Sequence, residues 1–274
     1  MKIGFIDYYL DEWHANHYPQ WLKEASNGEM EVAIAYGMID SPIGGRTTEK
    51  WCSDMGIRRA LSIEEVIENS DALVVLSPDN CEMHEQLCQL PLRSGKPTYV
   101  DKTFAPDYET AKRIFAIAEE AGTPCYSTSA LRYAAEYQGI KNVQGIASVG
   151  PNEFETYAIH QIEPIMMLMQ AEPARVQYLP GEGWYTMAIA FKDGRYATLA
   201  GYDGDIPFKM NIKTAEGAKE IRVDSDLFGP FMRQLAAFFQ NPTEVVPHEE
   251  TLRIMAVRGA GVEAMKTPGV WVNV

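Results

Sequence analysis

The sequence predicts an α/β protein: a Rossmann-like, doubly wound parallel sheet, then a second α+β domain built on an open, mostly antiparallel sheet. Two observations lead there. Up to about Ser127, short apolar runs alternate with helical segments, the order that builds a parallel sheet with helices on its faces. After that point apolar runs follow one another across turn signals such as Asp193-Gly194, Asp203-Gly204 and Glu216-Gly217, the order of an antiparallel sheet. A chain of 274 residues suits two domains. The expected division is 1–127 for the nucleotide-binding-type domain and 128–274 for a substrate and dimerisation domain, with the C-terminal segment returning to the first.

Taken in order, Lys2-Ile3-Gly4-Phe5-Ile6 reads as a buried strand and His14 to Leu22 as the start of a helix. Met30 to Ala35 is a second strand, and Ser62-Ile63-Glu64-Glu65 has the capping-box spacing that opens a helix. Strands follow at Ala72 to Leu76, Pro97 to Val100 and Pro124 to Ser127. Between the last two, Asp107 caps a helix that keeps Ala111, Ile114, Ile117, Ala118 and Ala121 on one face and stops at Gly122. In the second half, strands are expected at 143–149, 174–179, 184–191, 196–202, 209–213 and 219–223. A helix at about 156–169 interrupts them; helices at 230–240 and 248–266 precede a terminal strand at 270–274. An open parallel sheet binds ligands beyond the carboxyl ends of its strands, so the loops after Ile6, Leu76 and Val100 matter most.

Composition narrows the function. With 24 basic against 38 acidic residues, the net charge of -14 repels nucleic acid and anionic membrane surfaces. The absence of a basic start followed by a long apolar run, and of any apolar stretch of about 18 residues, leads us to expect a soluble cytoplasmic protein. Cys52, Cys81, Cys88 and Cys125 lack CxxC pairing and read as reduced core thiols. No metal site is expected, although Cys81, His84 and Cys88 would share a helix face.

From Ala72 to Arg132 the chain resembles the Gfo/Idh/MocA oxidoreductase family, the glucose-fructose oxidoreductase and inositol dehydrogenase group. The resemblance rests on ALVVLSP, His84, SGKPTYVDKTFA, a capped helix, and AEEAGTPCYSTSALRY. Further on, Tyr157-Ala158-Ile159-His160-Gln161-Ile162-Glu163 is similar to the family's G-x-H-x-x-D segment, and the closing stretch to its C-terminal region. The resemblance implies an oxidoreductase acting on a sugar, cyclitol or related polyol, with NAD or NADP as cofactor. A homodimer or higher oligomer is expected through the open sheet of the second domain, because Trp184 to Phe191 alternates too weakly for one face to be solvated and the helices are too few to cover both. By position the resemblance makes Lys102 and His160 the catalytic pair and Arg132, Thr156 and Tyr157 substrate contacts. Ser77, Pro78 and Asp101 fall at its cofactor edge. The chemistry suits the first two: an ammonium stabilises negative charge on a carbinol oxygen, and an imidazole takes or returns the hydroxyl proton.

The sequence also departs from that pattern. Asp7, Tyr9 and Glu12 stand at the GxGxxG spacing, Asp101-Lys102-Thr103 replaces Glu-Lys-Pro, and Thr156 replaces an aspartate. Bulky and acidic residues in a phosphate turn predict weak or absent dinucleotide binding. Two alternatives to a dehydrogenase follow: a non-catalytic relative that binds a metabolite or partner, and a cofactor-free lyase or isomerase using Lys102 and His160.

Overall fold

Six short strands, most of them apolar and β-branched or aromatic, form a wholly parallel sheet. The computed structural model describes residues 1–274 and divides into two units. The first comprises Met1–Ala105, Glu109–Thr128 and Phe228–His248, and the second Pro106–Tyr108, Ser129–Leu227 and Glu249–Val274. The strands of the first unit are β1 (Lys2–Asp7), β2 (Glu31–Gly37), β3 (Arg58–Arg59), β4 (Ala72–Val75), β5 (Thr98–Val100) and β6 (Cys125–Tyr126). They lie in the order β3-β2-β1-β4-β5-β6, which reverses direction between β1 and β4. That switch point opens a crevice beyond the strands' carboxyl ends. Every residue of β4 is buried, as are the last five of β1, which fits central strands covered on both faces.

The helices of this unit are α1 (Trp13–Ala25), α2 (Thr48–Met55), α3 (Ile63–Glu68), α4 (His84–Leu87) and α5 (Tyr108–Ala121), joined by α7 (Phe228–Gln240) from late in the chain. Ser62 Oγ accepts the Glu65 amide as the capping spacing predicts, but Glu65 reaches back to the Leu61 amide rather than to that of Ser62. The loop and helix that include α2 escaped the reading of the sequence, its apolar face being short. Gly4 sits where a Cβ would come within 2.3 Å of Ser70 Oγ and 2.4 Å of Val66 Cγ1, so glycine there lets the α3 end approach β1. On α7, Phe231, Met232, Leu235, Phe238 and Phe239 are buried, and its rings meet α1: Trp21–Phe228 centroids are 4.8 Å apart and Tyr18–Phe231 centroids 5.8 Å. The chain thus revisits the first unit with α7, then closes in the second.

The second unit holds β7 (Val143–Pro151), α6 (Phe154–Met169), β8 (Pro173–Gly181), β9 (Trp184–Phe191), β10 (Tyr196–Tyr202), β11 (Lys209–Thr214), β12 (Gly217–Arg222), α8 (His248–Met265) and β13 (Trp271–Asn273). Its seven strands run β12-β11-β7-β10-β9-β8-β13, and all neighbours are antiparallel except β7 and β10. The buried Gln161 anchors α6 to the sheet, accepting from Ser148 Oγ at 2.7 Å and donating to the Ala200 carbonyl at 3.1 Å. Along β9, Tyr185, Met187 and Ile189 are buried while Trp184 on the opposite face is exposed. Leu179, Tyr196 and Tyr202 are exposed as well. No helix is long and apolar enough to cross a membrane.

Candidate functional site

In the first unit the side chains that carry charge gather at the carboxyl ends of β1 and β5. Glu12 is the N-cap of α1: its extended backbone lets the carboxylate fold onto the helix end, where it accepts the His14 amide at 2.6 Å and the Ala15 amide. Asp7, the last residue of β1, is fully buried, and neither of its oxygens meets hydrogen-bonding geometry. Burial pushes its pKa well above the usual carboxylate range, Glu12 and Asp101 add to the shift, and the nearby amides of Tyr8 and Tyr9 oppose it. Burial also raises Glu12, to about 7, against the pull of His14 and the capped amides. Asp7 therefore holds its proton more tightly than an ordinary carboxylic acid.

Asp101, just past β5, behaves differently. Burial works against its ionisation, yet His14 Nδ1 lies 2.5 Å from Oδ2 and holds its pKa below the ordinary value. Tyr99 donates to the other oxygen at 3.0 Å, and the His14 ring stacks on Tyr18 with centroids 4.8 Å apart. Lys102 follows Asp101 in the chain and is buried, with Nζ donating to the Pro78 carbonyl at 3.3 Å. Ser77 has a positive φ of 93° and donates its hydroxyl to the Asn80 carbonyl. His84 is buried between the carbonyls of Phe104 and Leu76, each facing one ring nitrogen.

A second feature lies outward along the same edge. Asp11 accepts the Arg46 amide at 2.6 Å and Arg46 Nη2 at 2.7 Å, and these bonds hold its pKa at about 2. Arg46 Nη2 also donates to Asn16 Oδ1 at 2.6 Å, which takes Trp51 Nε1 at 2.7 Å. The Gly44-Gly45-Arg46 loop is thereby tied down, and Gly45 lies where a Cβ would meet Asp11 Oδ2 at 2.5 Å. Asp40 is engaged as well: Oδ1 accepts the Thr48 amide at the start of α2.

His160 belongs to the second unit. It projects from α6 with Nδ1 2.7 Å from Ser129 Oγ, its ring 5.6 Å from that of Tyr157 and 6.0 Å from that of Phe208. The Ser129 amide donates to Glu163 Oε2 at 2.7 Å, and Glu163 Oε1 takes Arg132 Nε at 2.6 Å. Arg132 also pairs with Glu250. Burial would lower the Arg132 pKa, but Glu163 and Glu250 raise it, so its guanidinium is a charge committed to two carboxylates. Thr156, one turn before His160, donates its hydroxyl to Glu153, and Tyr157 is exposed. Beside this array a cavity of about 670 Å³ is lined by Asn152, Tyr157, Asp205, Phe208, Asp224 and Ser225 among others, with no lysine, arginine or histidine in its wall.

Residues 24–129 match the model of GFO_IDH_MocA, described as an oxidoreductase family with an NAD-binding Rossmann fold. Over this stretch the chain is similar to the Gfo/Idh/MocA family. No curated protein matches the chain by sequence. Solved structures share the fold of the whole chain. Myo-inositol 2-dehydrogenase from Lactobacillus plantarum aligns with a TM-score of 0.80 at 13% identity over 99% of each chain. Apo scyllo-inositol dehydrogenase from Lactobacillus casei gives 0.79 at 15% identity, covering 98% of this chain and 97% of its own. GenD2 from gentamicin A biosynthesis, solved in complex with NAD, gives 0.78 at 12% identity over 100% of this chain and 96% of its own.

A Rossmann domain of this family seats a dinucleotide's pyrophosphate on free amides at the first helix N-terminus. Here Glu12 already accepts two of those amides, Asp7 buries a carboxyl at the strand end, and the Asp11–Arg46 pair closes over the neighbouring loop. These residues do not fit a dinucleotide in the family's usual seat. The reading of the sequence placed Asp7, Tyr9 and Glu12 in the turn but missed the cap, whose signal was present: an acidic residue directly before a helix is an N-cap candidate. It also missed His14 and Glu163, whose partners lie 87 residues away at Asp101 and 31 residues away at Arg132.

Proposed function

We propose that the protein binds a neutral sugar or cyclitol and works on it by proton transfer, with His160 as acid-base group and Lys102 as the cation that the sequence pattern names for the chemistry. The observation that carries this reading is that Tyr157 and Phe208, the ring neighbours of His160, also line a cavity whose wall His160 itself does not form. Its wall offers the faces of Tyr157 and Phe208 to the apolar side of a ring and the polar groups of Asn152 and Asp205 to hydroxyls, and it lacks the basic residues a phosphorylated or acidic sugar would need. The Ser129 contact fixes the His160 ring through Nδ1. Arg132 serves as a clamp between Glu163 and Glu250, and Thr156 and Tyr157 form the rim.

The likeness of fold to inositol dehydrogenases supports the polyol class. Oxidation of a polyol needs an acceptor for the electrons, and without a dinucleotide in the family's seat the reaction supported best is redox-neutral, an isomerisation or elimination. A second reading, an NAD(P)-dependent oxidoreductase holding its cofactor in a different pose, is favoured by the match in fold to the NAD complex of GenD2.

Calorimetric titration with inositols and aldoses, set against the corresponding sugar phosphates, tests the ligand class. Neutral polyols are expected to bind and phosphates not to; preference for the phosphates sinks the reading. On a substrate so found, Lys102→Met and His160→Asn are each expected to slow turnover by about 10²-fold or more. Turnover that survives both substitutions removes the pair from the chemistry.

A further inference from the structure

We infer that Glu12 is a resident occupant of the phosphate seat: its carboxyl group takes the place on the α1 N-terminus that a nucleotide phosphate would take, and so sets the first unit against dinucleotides of either oxidation state. The helix end of a Rossmann turn presents amides to an anion, and in this chain both the His14 and Ala15 amides donate to Glu12. Glu12 is itself buried, so the carboxylate lies inside the turn rather than over it.

The surroundings agree. Asp7 lies at the end of β1, buried and without a hydrogen-bonding partner, where a phosphate turn has a glycine. Asp101 sets a further carboxylate against the seat, with His14 Nδ1 2.5 Å from its Oδ2. An entering pyrophosphate would have to displace Glu12 from two amides and bring its own charge beside Asp7 and Asp101. On the flank, Arg46 is the cation nearest in kind to a phosphate ligand, and Asp11, Asn16 and Asp54 already hold it. A glycine turn lies open until its ligand arrives, whereas this turn is complete without one. The inference is independent of the sugar class proposed above, since it concerns the first unit alone.

The test titrates the intact protein and Glu12→Gly with NAD, NADH, NADP, NADPH and inorganic pyrophosphate, following heat and melting temperature. The wild-type protein is expected to bind none of the five tighter than about 1 mM, and Glu12→Gly, with its two amides released, to bind pyrophosphate at least about tenfold more tightly than wild type. Binding of any dinucleotide to the wild type below about 100 μM overturns the inference, on the affinity scale of a working cofactor site. So does a folded Glu12→Gly no more responsive to pyrophosphate than wild type. Should that variant not fold, amide NMR of the wild type against Glu12→Gln decides. The His14 and Ala15 amides are expected to shift together with the Glu12 carboxyl near neutral pH and to lose that shift in Glu12→Gln. A wild-type protein whose His14 and Ala15 amides show no shift near neutral pH overturns the inference.

Discussion

The two units handle their buried carboxylates in opposite ways. In the second, Arg132 stands between Glu163 and Glu250, and Glu163 also takes the Ser129 amide, while the buried Arg258 reaches only the carbonyls of Pro106 and Glu155. In the first, Asp101 is held by His14 Nδ1, while Asp7 is buried without a hydrogen-bonding partner and burial raises the Glu12 pKa to about 7. A paired network stabilises mainly by not being broken, whereas an unpaired buried acid lowers stability whenever the solvent would ionise it. The unit with the unpaired acids is also the one where the ordinary ligand seat of the fold has been filled from within. Unsatisfied polar groups concentrate at sites shaped by something other than stability.

Breaking the paired network should give the largest effect. Arg132→Met leaves Glu163 buried without its cation and is expected to cost about 3–5 kcal/mol in urea unfolding, the scale of a severed buried pair. A loss below about 1 kcal/mol would mean that the network is no more than a surface pair.

Relieving the unpaired acid should act in the opposite direction and more weakly. Asp7 and Glu12 have folded pKa values raised above their unfolded ones, so between about pH 5 and 8 the unfolded chain releases protons that the folded state retains. Their effect on stability is therefore favourable in acid and is lost as pH rises through that window. His84, whose pKa burial lowers, acts with the opposite sign in part of the same range, so the informative quantity is a difference between proteins. Asp7→Asn is expected to be more stable than wild type by about 1 kcal/mol or more at pH 8, with an advantage that shrinks toward pH 5. An advantage that stays constant from pH 5 to 8 would show that Asp7 titrates normally.

The smallest expected effect on the fold concerns the faces of the two sheets. The strands of the first unit are buried at its centre, but the second unit leaves Leu179, Trp184, Tyr196 and Tyr202 exposed, with Trp184 stacked on Tyr202 at 6.0 Å. Such a face suits a second copy of the chain, and a homodimer or higher oligomer is expected by light scattering at tens of micromolar. Tyr196→Asp should shift the mass toward the monomer with little change in unfolding midpoint, while a wild-type monomer at that concentration rules the association out.

What the sequence determined by itself was local. The expected strands 184–191 and 196–202 coincide with β9 and β10 because an apolar run between glycine turns leaves few other conformations. The alternation of strands and helices implied the parallel sheet, and Lys102 after β5 and His160 on α6 were found through a pattern of neighbours along the chain. Even the Glu12 cap is a local event, legible in principle from an acid before a helix. Only the tertiary structure decided which strands pair: nothing near β7 or β10 requires them to run parallel in an otherwise antiparallel sheet. It decided that α7 returns to pack on α1 while α8 and β13 remain with the second unit. It also decided how readily each acid ionises, because Asp7, Glu12 and Asp101 are all acids in the sequence and differ through burial and through the single imidazole that bonds to only one of them across 87 residues. A carboxylate's pKa follows from the solvent it loses and the partner it gains, and both are properties of the folded chain.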